Sequence, residues 1–373
     1  MNFLLDEDHL ALKQSAAVFL DKEIVLDALL KPGASVDQAN YRGNWEKIAA
    51  MGWTGITVPE SYGGLGLSCV DVAMVLGEMG RTLAPSPFLG NLIGTWALLR
   101  LGTEEQKQRI LPAVAAGTAR LALAVGDAAG DVADHSRELG AERSAQGFLL
   151  KGARAFAIDA AGADWLIVDA HNAETGRRGF FLVDTKSDDL TVDIMNWRDL
   201  TRQVCDVRLN GCVGEELAPL TPADWAWVRD RILFALAAEC AAGTQQILSM
   251  TAEYAKERVA FGKPIGSYQA IKHSLADMLG QAECANVAVL YAAWALSEEA
   301  PQASLAAAMA KAFAADAYVD CTHRSIQIFG AIGFTWEMKN HLYLKRAHAN
   351  AELFGNSRAH RSRVIDLAQQ AAA

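Results

Sequence analysis

The chain has 373 residues, of which 51% are hydrophobic, and it carries a formal net charge of −10 at pH 7. This length predicts two or three packed domains rather than one. The acidic balance argues against nucleic acids and anionic membranes as partners, although a local cluster of Arg and Lys could still hold an anionic ligand.

The first 118 residues show apolar side chains at helical spacing, interrupted by proline and glycine. They predict five helices, at 8–23, 45–51, 70–81, 88–101 and 104–116. Between the second and third of these lies a Pro/Gly-rich turn, Val58-Pro59-Glu60-Ser61-Tyr62-Gly63-Gly64-Leu65-Gly66-Leu67. Thr103 and Gln106 have the spacing of a capping box before the fifth helix. We therefore expect an all-α domain over 1–118.

From 119 to 215 the pattern changes to short apolar or alternating runs separated by turns. Six strands are predicted, at 120–125, 148–150, 165–169, 179–183, 190–194 and 204–209. Such a series is typical of a β-barrel or β-sandwich domain, here of roughly six to eight strands.

From Pro222 onwards the sequence is rich in alanine and helical again. Three long helices are predicted at 224–260, 267–298 and 301–329, and a shorter helix begins near 356. Long amphipathic helices with short links are typical of an up-and-down bundle. A C-terminal four-helix bundle over 216–373 completes an α+β fold of three domains.

The six cysteines are scattered, without CxxC spacing or a His-rich ligand pattern, which predicts reduced thiols and no metal site. Only a short apolar run precedes Asp6, which is not the pattern of a signal peptide. The longest apolar stretch, 232–243, is interrupted by Glu239 and is too short to span a bilayer. We expect a cytoplasmic protein.

The most informative motif follows the first bundle helix and reads Arg258-Val259-Ala260-Phe261-Gly262-Lys263-Pro264-Ile265-Gly266-Ser267-Tyr268-Gln269. Arg258 continues a helical face that begins at Ile247, and Gly262 and Pro264 end the helix. A guanidinium at such a corner can hold a diphosphate through paired hydrogen bonds. On the residues alone, a solvated Arg in a helix–turn–helix is the simpler interpretation.

Three motifs, at 58–67, 258–269 and 327–335, make the whole chain resemble the acyl-CoA dehydrogenases. The 58–67 turn is similar to the family's Pro-Glu-x-Tyr-Gly-Gly turn, and 258–269 is similar to its FAD-binding signature. The third motif, Gln327-Ile328-Phe329-Gly330-Ala331-Ile332-Gly333-Phe334-Thr335, is similar to its Gln-x-x-Gly-Gly-x-Gly loop. The resemblance implies FAD-dependent α,β-dehydrogenation of an acyl-CoA, with an electron-transfer flavoprotein or a similar acceptor.

The resemblance also implies roles for individual residues. Arg258 would bind the FAD pyrophosphate, and Phe261 would pack against the cofactor. The loop at 327–335 would wrap the diphosphate and adenosine of a flavin bound mainly to a neighbouring subunit, which makes an oligomer necessary. The implied cofactor-binding residues are Arg258, Phe261, Ile265, Tyr268, Gln269, Gln327, Ile328 and Gly330.

The chain departs from the family where the chemistry takes place. The family's base is a Glu in a Tyr-Glu-Gly-Thr string, and here Gly355 occupies the position of that Glu, while the alternative base position falls at Ile232 or Leu233. Glu239 and Glu352 are candidates for a displaced base, although a structural carboxylate is the simpler interpretation of both. The hydroxyls that the family places beside the flavin ring are missing from two stretches, 125–131 and 156–158.

This split between a preserved pyrophosphate half and an altered chemical half resembles the unlike subunits of the α2β2 dehydrogenases that shorten sterol side chains as CoA esters. The strings at 333–337 and 341–346 look like that branch. Three hypotheses follow: an acyl-CoA dehydrogenase acting with a paralogous partner on a bulky acyl-CoA such as a steroid derivative, a non-catalytic subunit completing a partner's FAD site, or a homo-oligomeric enzyme with a displaced base. His348 lies near the base segment, where a surface position is a simpler interpretation than a proton relay.

Overall fold

The computed structural model describes residues 5–35, 41–126 and 139–372. Five helices come first: α1 (Glu7–Glu23), α2 (Tyr41–Ala50), α3 (Cys69–Thr82), α4 (Phe88–Leu101) and α5 (Glu104–Ala115). Capping boxes begin α3 and α5, formed by Ser68 with Asp71 and by Thr103 with Gln106. The predicted helices are confirmed, with ends that shift by up to four residues in α2.

A seven-stranded sheet follows, made of β1 (Leu121–Ala124), β2 (Leu139–Ser144), β3 (Gly147–Ile158), β4 (Trp165–Asn172), β5 (Arg177–Asp184), β6 (Leu190–Ile194) and β7 (Val204–Glu216). Its order is β1-β4-β2-β3-β7-β5, with β6 beside β7, and a further pairing of β4 with β5 closes the path into a barrel. Leu150, Val168, Phe181 and Val207 belong to its buried interior. The predicted β domain is confirmed.

The remaining helices are α6 (Pro222–Glu257), α7 (Gln269–Ser297), α8 (Ala303–Phe329), α9 (Asn340–Glu352) and α10 (Ser357–Ala372). The two-residue strands β8 (Val259–Ala260) and β9 (Lys263–Pro264) connect α6 to α7. Helix α8 packs against α6, α7 and α10, and buried alanines such as Ala307 and Ala314 let these helices approach closely. The predicted bundle is confirmed, and α9 is an additional helix that was not predicted.

One continuous apolar cluster joins side chains of α3, α4, α6 and β1. It packs the N-terminal helices against both the sheet and the bundle. Within the described ranges, α6 is the helix whose length and composition would suffice to cross a membrane, and 78% of its most apolar 18-residue window is buried inside the structure. All six cysteines are free, and Cys284 is the exposed one.

Candidate functional site

The corner between α6 and α7 exposes Arg258 and Phe261 to solvent. Arg258 leaves the helical conformation as the C-cap of α6, while its N–H still donates to the carbonyl of Tyr254. The turn between β8 and β9 consists of Phe261 and Gly262, with φ angles of 51° and 83°. A bulky residue with positive φ is strained. Because Phe261 is also 97% exposed, we infer that a ligand or another subunit covers its ring.

Tyr268 fixes this corner to the start of α7. Its hydroxyl donates to the carbonyl of Ala260 at 3.0 Å, and the ammonium of Lys263 lies 4.3 Å from the centre of its ring. The half-buried Ile265 donates its N–H to the carbonyl of Arg258 at 2.8 Å. In the described part of the chain, the guanidinium of Arg258 has neither an ion-pair nor a hydrogen-bond partner. The corner therefore holds a free cation on a well-supported backbone.

The loop after α8 lies at the same end of the bundle. Gly330, the C-cap of α8, has φ 68° and ψ −146°, a conformation that essentially only glycine adopts. Tyr254 stacks on Phe329 with ring centres 4.0 Å apart and planes 11° apart, and its hydroxyl lies 3.4 Å from the Phe329 carbonyl oxygen. Because Tyr254 is one turn before Arg258 and Phe329 adjoins Gly330, this contact brings the two predicted motifs together.

These residues fit the pyrophosphate end of a dinucleotide. The exposed guanidinium of Arg258 supplies charge, and the backbone at Gly330 can be approached closely because no described atom lies within 4 Å of where a side chain would begin there. Gln269 and Gln327 are exposed on either side, and Ile328 is half-buried. Phe261 and Phe334, 97% and 68% exposed, add apolar surface for rings.

A cluster of buried charges ties the β6–β7 connection to α6 and α9. Arg202 donates to both carboxylate oxygens of Glu239 at 2.6 Å, and Arg346 donates to Asp199 and to the hydroxyl of Thr201, each at 2.5 Å. Arg346 also lies 3.5 Å from Glu239. All five side chains are buried.

Asn350 of α9 completes the cluster. Its amide nitrogen donates to Glu239 at 3.2 Å, and its oxygen accepts from Arg202 at 2.7 Å. Both oxygens of Glu239 are thus engaged, and the side chain is sealed from solvent. This is the environment of a structural anion, so the candidacy of Glu239 as a displaced base finds no support here.

A cavity of about 830 Å³ lies beside this cluster, between the β6–β7 connection and α9. Trp197, Phe334 and Trp336 give it aromatic walls, and Lys345 and Glu352 stand among its charged residues. The ring of Trp197 packs edge-on against Phe156, with centres 6.0 Å apart. Phe156 belongs to the stretch that corresponds to the family's segment beside the flavin ring.

The cavity wall also contains His341. Burial lowers the pKa of its imidazole to about 4, so the ring is neutral near pH 7. Its Nε2 and the indole Nε1 of Trp197 are buried atoms without hydrogen-bond partners among the described residues. Buried unpaired donors or acceptors are uncommon and mark places that a bound molecule can satisfy.

The base position itself holds no acid. Gly355 joins α9 to α10 with φ 96°, and a Cβ there would lie 3.2 Å from Nε2 of His360. The ammonium of Lys311 donates to the carbonyls of Gly355 and Ala351 at 3.1 and 3.3 Å. Burial lowers the pKa of His360 to about 4 and that of Lys311 to about 8. Exposed Glu352, in contrast, lines the cavity.

Several of these residues were not predicted. Trp197, Asp199 and Arg202 carry no short motif, and charged residues in a connection between strands are usually solvated. Arg346 lies in the 341–346 string, but that string does not reveal its pairing with Asp199. Their pairing across distant parts of the chain gives no local signal. Of the two stretches that the resemblance places beside the flavin ring, 156–158 is described, whereas 127–131 lie outside the described residues.

Comparisons with known proteins agree with the resemblance. The models of the acyl-CoA dehydrogenase N-terminal and C-terminal domains match residues 6–118 and 230–368. Acyl-CoA dehydrogenase IpdE2 of Mycolicibacterium smegmatis is 29% identical over 356 residues, which cover 95% of this chain and 96% of the relative.

Two further matches span most of the chain. An acyl-CoA dehydrogenase of Bacillus subtilis is 30% identical over 305 residues, covering 78% of this chain and 79% of that protein. A solved structure of a Tcur3481–Tcur3483 steroid ACAD variant superposes with a TM-score of 0.86 at 29% identity, covering 98% of this chain and 99% of that chain.

Proposed function

The chain belongs to the acyl-CoA dehydrogenase family of FAD-dependent oxidoreductases, and we propose that it is one of two unlike subunits that share each flavin. One observation carries this proposal. The residues that suit a pyrophosphate, Arg258 and the Gly330 loop, meet at one end of the bundle, while the base position is Gly355 in a left-handed conformation. A subunit with this asymmetry completes a site whose base stands on a paralogous chain.

In this proposal the chain's own residues bind and orient the cofactor. Arg258 makes charge-assisted hydrogen bonds to the pyrophosphate, and the missing side chain at Gly330 lets the same phosphates approach the loop backbone. Phe261 and Phe334 cover apolar parts of the cofactor and exclude water. The FAD held by these residues would supply the acceptor for the β-hydride of the acyl group, and an electron-transfer flavoprotein or a similar protein would be the electron acceptor.

The proposed substrate is a bulky acyl-CoA, such as a steroid derivative. Support comes from the 29% identity to a steroid ACAD over nearly the whole chain and from the size and aromatic walls of the cavity. A planar polycyclic group can stack on Trp197 and Trp336 without needing charged partners.

One observation favours a second candidate, a homo-oligomer with a displaced base. Glu352 is exposed, lines the cavity and is the last residue of α9, a few residues before the usual base position at Gly355. Glu352 is therefore better placed than the sealed Glu239 to take a proton from a substrate.

The proposal is tested by producing the chain alone and together with a base-bearing paralogue. We expect the single chain to be colourless or weakly active, and the co-expressed complex to be yellow and to oxidise an acyl-CoA. A yellow homo-oligomer of this chain that oxidises acyl-CoA by itself would contradict the unlike-subunit arrangement and favour the second candidate.

Within the complex, Arg258→Ala in this chain should strip the flavin. Bonds to a charged group contribute about 1.5–3 kcal/mol, which corresponds to roughly a 10- to 150-fold loss of FAD affinity. Flavin absorbance per complex measures the effect. Lys256→Ala is the matched control, since Lys256 is an exposed cation in the last turn of α6 that pairs with Glu253. Unchanged flavin occupancy in Arg258→Ala would overturn the assignment of Arg258.

A further inference from the structure

Two histidines from different helices meet at the rim of the cavity. Nε2 of His323, on α8, lies 3.0 Å from Nε2 of His348, on α9, and the two ring planes cross at 70°. Both side chains are exposed, and His348 also lines the cavity. They are 25 residues apart in sequence, which is why no ligand spacing is visible there.

The separation of these nitrogens suits a shared metal ion. Imidazole nitrogens bind transition metals at about 2.0–2.1 Å, so two of them on one ion lie about 2.8–3.4 Å apart for angles from 90° to tetrahedral. The observed 3.0 Å falls within this range. We propose that His323 and His348 form a binding site for a divalent transition-metal ion of the Cu²⁺, Ni²⁺ or Zn²⁺ class.

The surrounding charges are compatible with a cation. Burial and the neighbouring His323 lower the pKa of the His348 imidazole, and the carboxylate of Glu352, one helical turn further on, partly opposes this shift. The neighbouring cations are engaged elsewhere: Arg324 pairs with Asp320 and Asp277, and Lys345 lies over the ring of Trp336.

The two imidazoles are the whole protein contribution to the site. Within the described residues, no group of three His, Cys, Asp or Glu side chains is arranged to hold an ion. Water completes the coordination, and the ion remains exchangeable. Because His348 lines the cavity, a bound ion narrows its opening and adds positive charge to its rim. Among the three metals, Cu²⁺ binds an imidazole pair most tightly.

The test uses the assembled protein without a polyhistidine tag and the metal ions alone. Calorimetric titration with Zn²⁺ or Ni²⁺ should give one site per chain, and the electron paramagnetic resonance spectrum of bound Cu²⁺ should show two nitrogen ligands. His323→Ala and His348→Ala should each weaken binding by at least ~10-fold, because loss of even an outer-shell partner has an effect of that size. His273→Ala, at an exposed position of α7, should leave binding unchanged.

Three results would overturn the proposal: no site in the parent protein, the same affinity in His323→Ala as in the parent, or an equal loss in His273→Ala. Circular dichroism of each variant separates a lost ligand from a lost fold. His323→Asn gives a second variant of similar shape that lacks the imidazole. The readout is metal binding itself, so it is independent of flavin occupancy and of dehydrogenase activity.

Discussion

Glu239 and Glu352, the two candidates for a displaced base, have different surroundings. Glu239 accepts hydrogen bonds from Arg202 and Asn350 and is buried, whereas Glu352 is exposed at a cavity. The sequence could identify both as candidates, because Glu239 interrupts an apolar run and Glu352 lies shortly before the usual base position. It could not separate them, because the arginine that neutralises Glu239 is 37 residues away.

Conservative substitutions measure this difference at the level of single residues. If the base stands on the partner, Glu352→Gln should leave turnover of the flavin-loaded complex within a few-fold of the parent. A positioned base contributes roughly 10²- to 10⁴-fold, so a loss of that size with flavin retained would identify Glu352 as the base. Steady-state turnover at saturating acyl-CoA is the measurement.

Glu239→Gln is the matched comparison. It removes one charge from a neutral cluster and leaves Arg202 and Arg346 less compensated, so the expected loss is in stability rather than in the rate per flavin. A Glu239→Gln variant that folds normally but turns over 10²-fold more slowly per flavin would contradict its structural assignment.

At the level of elements, helices and strands with a strong apolar period were predictable, and those whose structure depends on pairing with other elements were not. Helix α4 (Phe88–Leu101) and strand β6 (Leu190–Ile194) have the predicted bounds. In β2 only Leu139 and Ala141 are buried, and the remaining residues are poor strand formers. Its pairing with β3 and β4 decides its structure.

Helix α9 escaped prediction for a related reason. Its buried face mixes apolar side chains such as Leu342 with polar and charged ones such as Arg346 and Asn350, so the apolar stripe by which a packed helix is identified is interrupted. Partners elsewhere satisfy most of these side chains: Asn340 donates to Ser325 at 2.9 Å, and Arg346 donates to Asp199. The docking of α9 is thus electrostatic as much as apolar.

The dependence of α9 on this pairing is testable. Arg346→Met should lower the free energy of unfolding by about 3–5 kcal/mol, because it leaves the buried carboxylates of Asp199 and Glu239 with one guanidinium fewer. Guanidinium chloride denaturation at fixed protein concentration gives the change. Arg208→Met is the control: its ion pair with Asp193 is more than half exposed and contributes at most about 1 kcal/mol. Equal effects of the two substitutions would show that the buried cluster does not hold α9.

At the level of the whole molecule, the fold follows from motifs, while the proposed flavin site and the proposed assembly would depend on surfaces that the isolated chain leaves uncovered. The turn at Phe261 shows this most clearly. Its ring makes little contact within its own chain, being 97% exposed, yet its backbone has a positive φ that a bulky residue adopts reluctantly. We therefore propose that Phe261 contributes to cofactor or subunit binding rather than to the fold of this chain.

The substitution Phe261→Asn separates the contribution of this side chain to the fold of the chain from its contribution to the proposed flavin site. Asparagine adopts a left-handed conformation more readily than phenylalanine, so the free energy of unfolding of the isolated chain should change by less than about 0.5 kcal/mol. Because an apolar contact with the cofactor and the partner is lost, we expect the co-expressed complex to retain less flavin and to dissociate at a higher protein concentration. Flavin absorbance measures the retained cofactor, and sedimentation measures the dissociation of the complex.

Val18→Asn, at an exposed position of α1, is the control for added polarity alone. If Phe261→Asn kept full flavin occupancy and the same dissociation constant as Val18→Asn, the corner at Phe261 would not be a contact of the shared site, and the case for a composite flavin site would rest on Arg258 and the Gly330 loop alone.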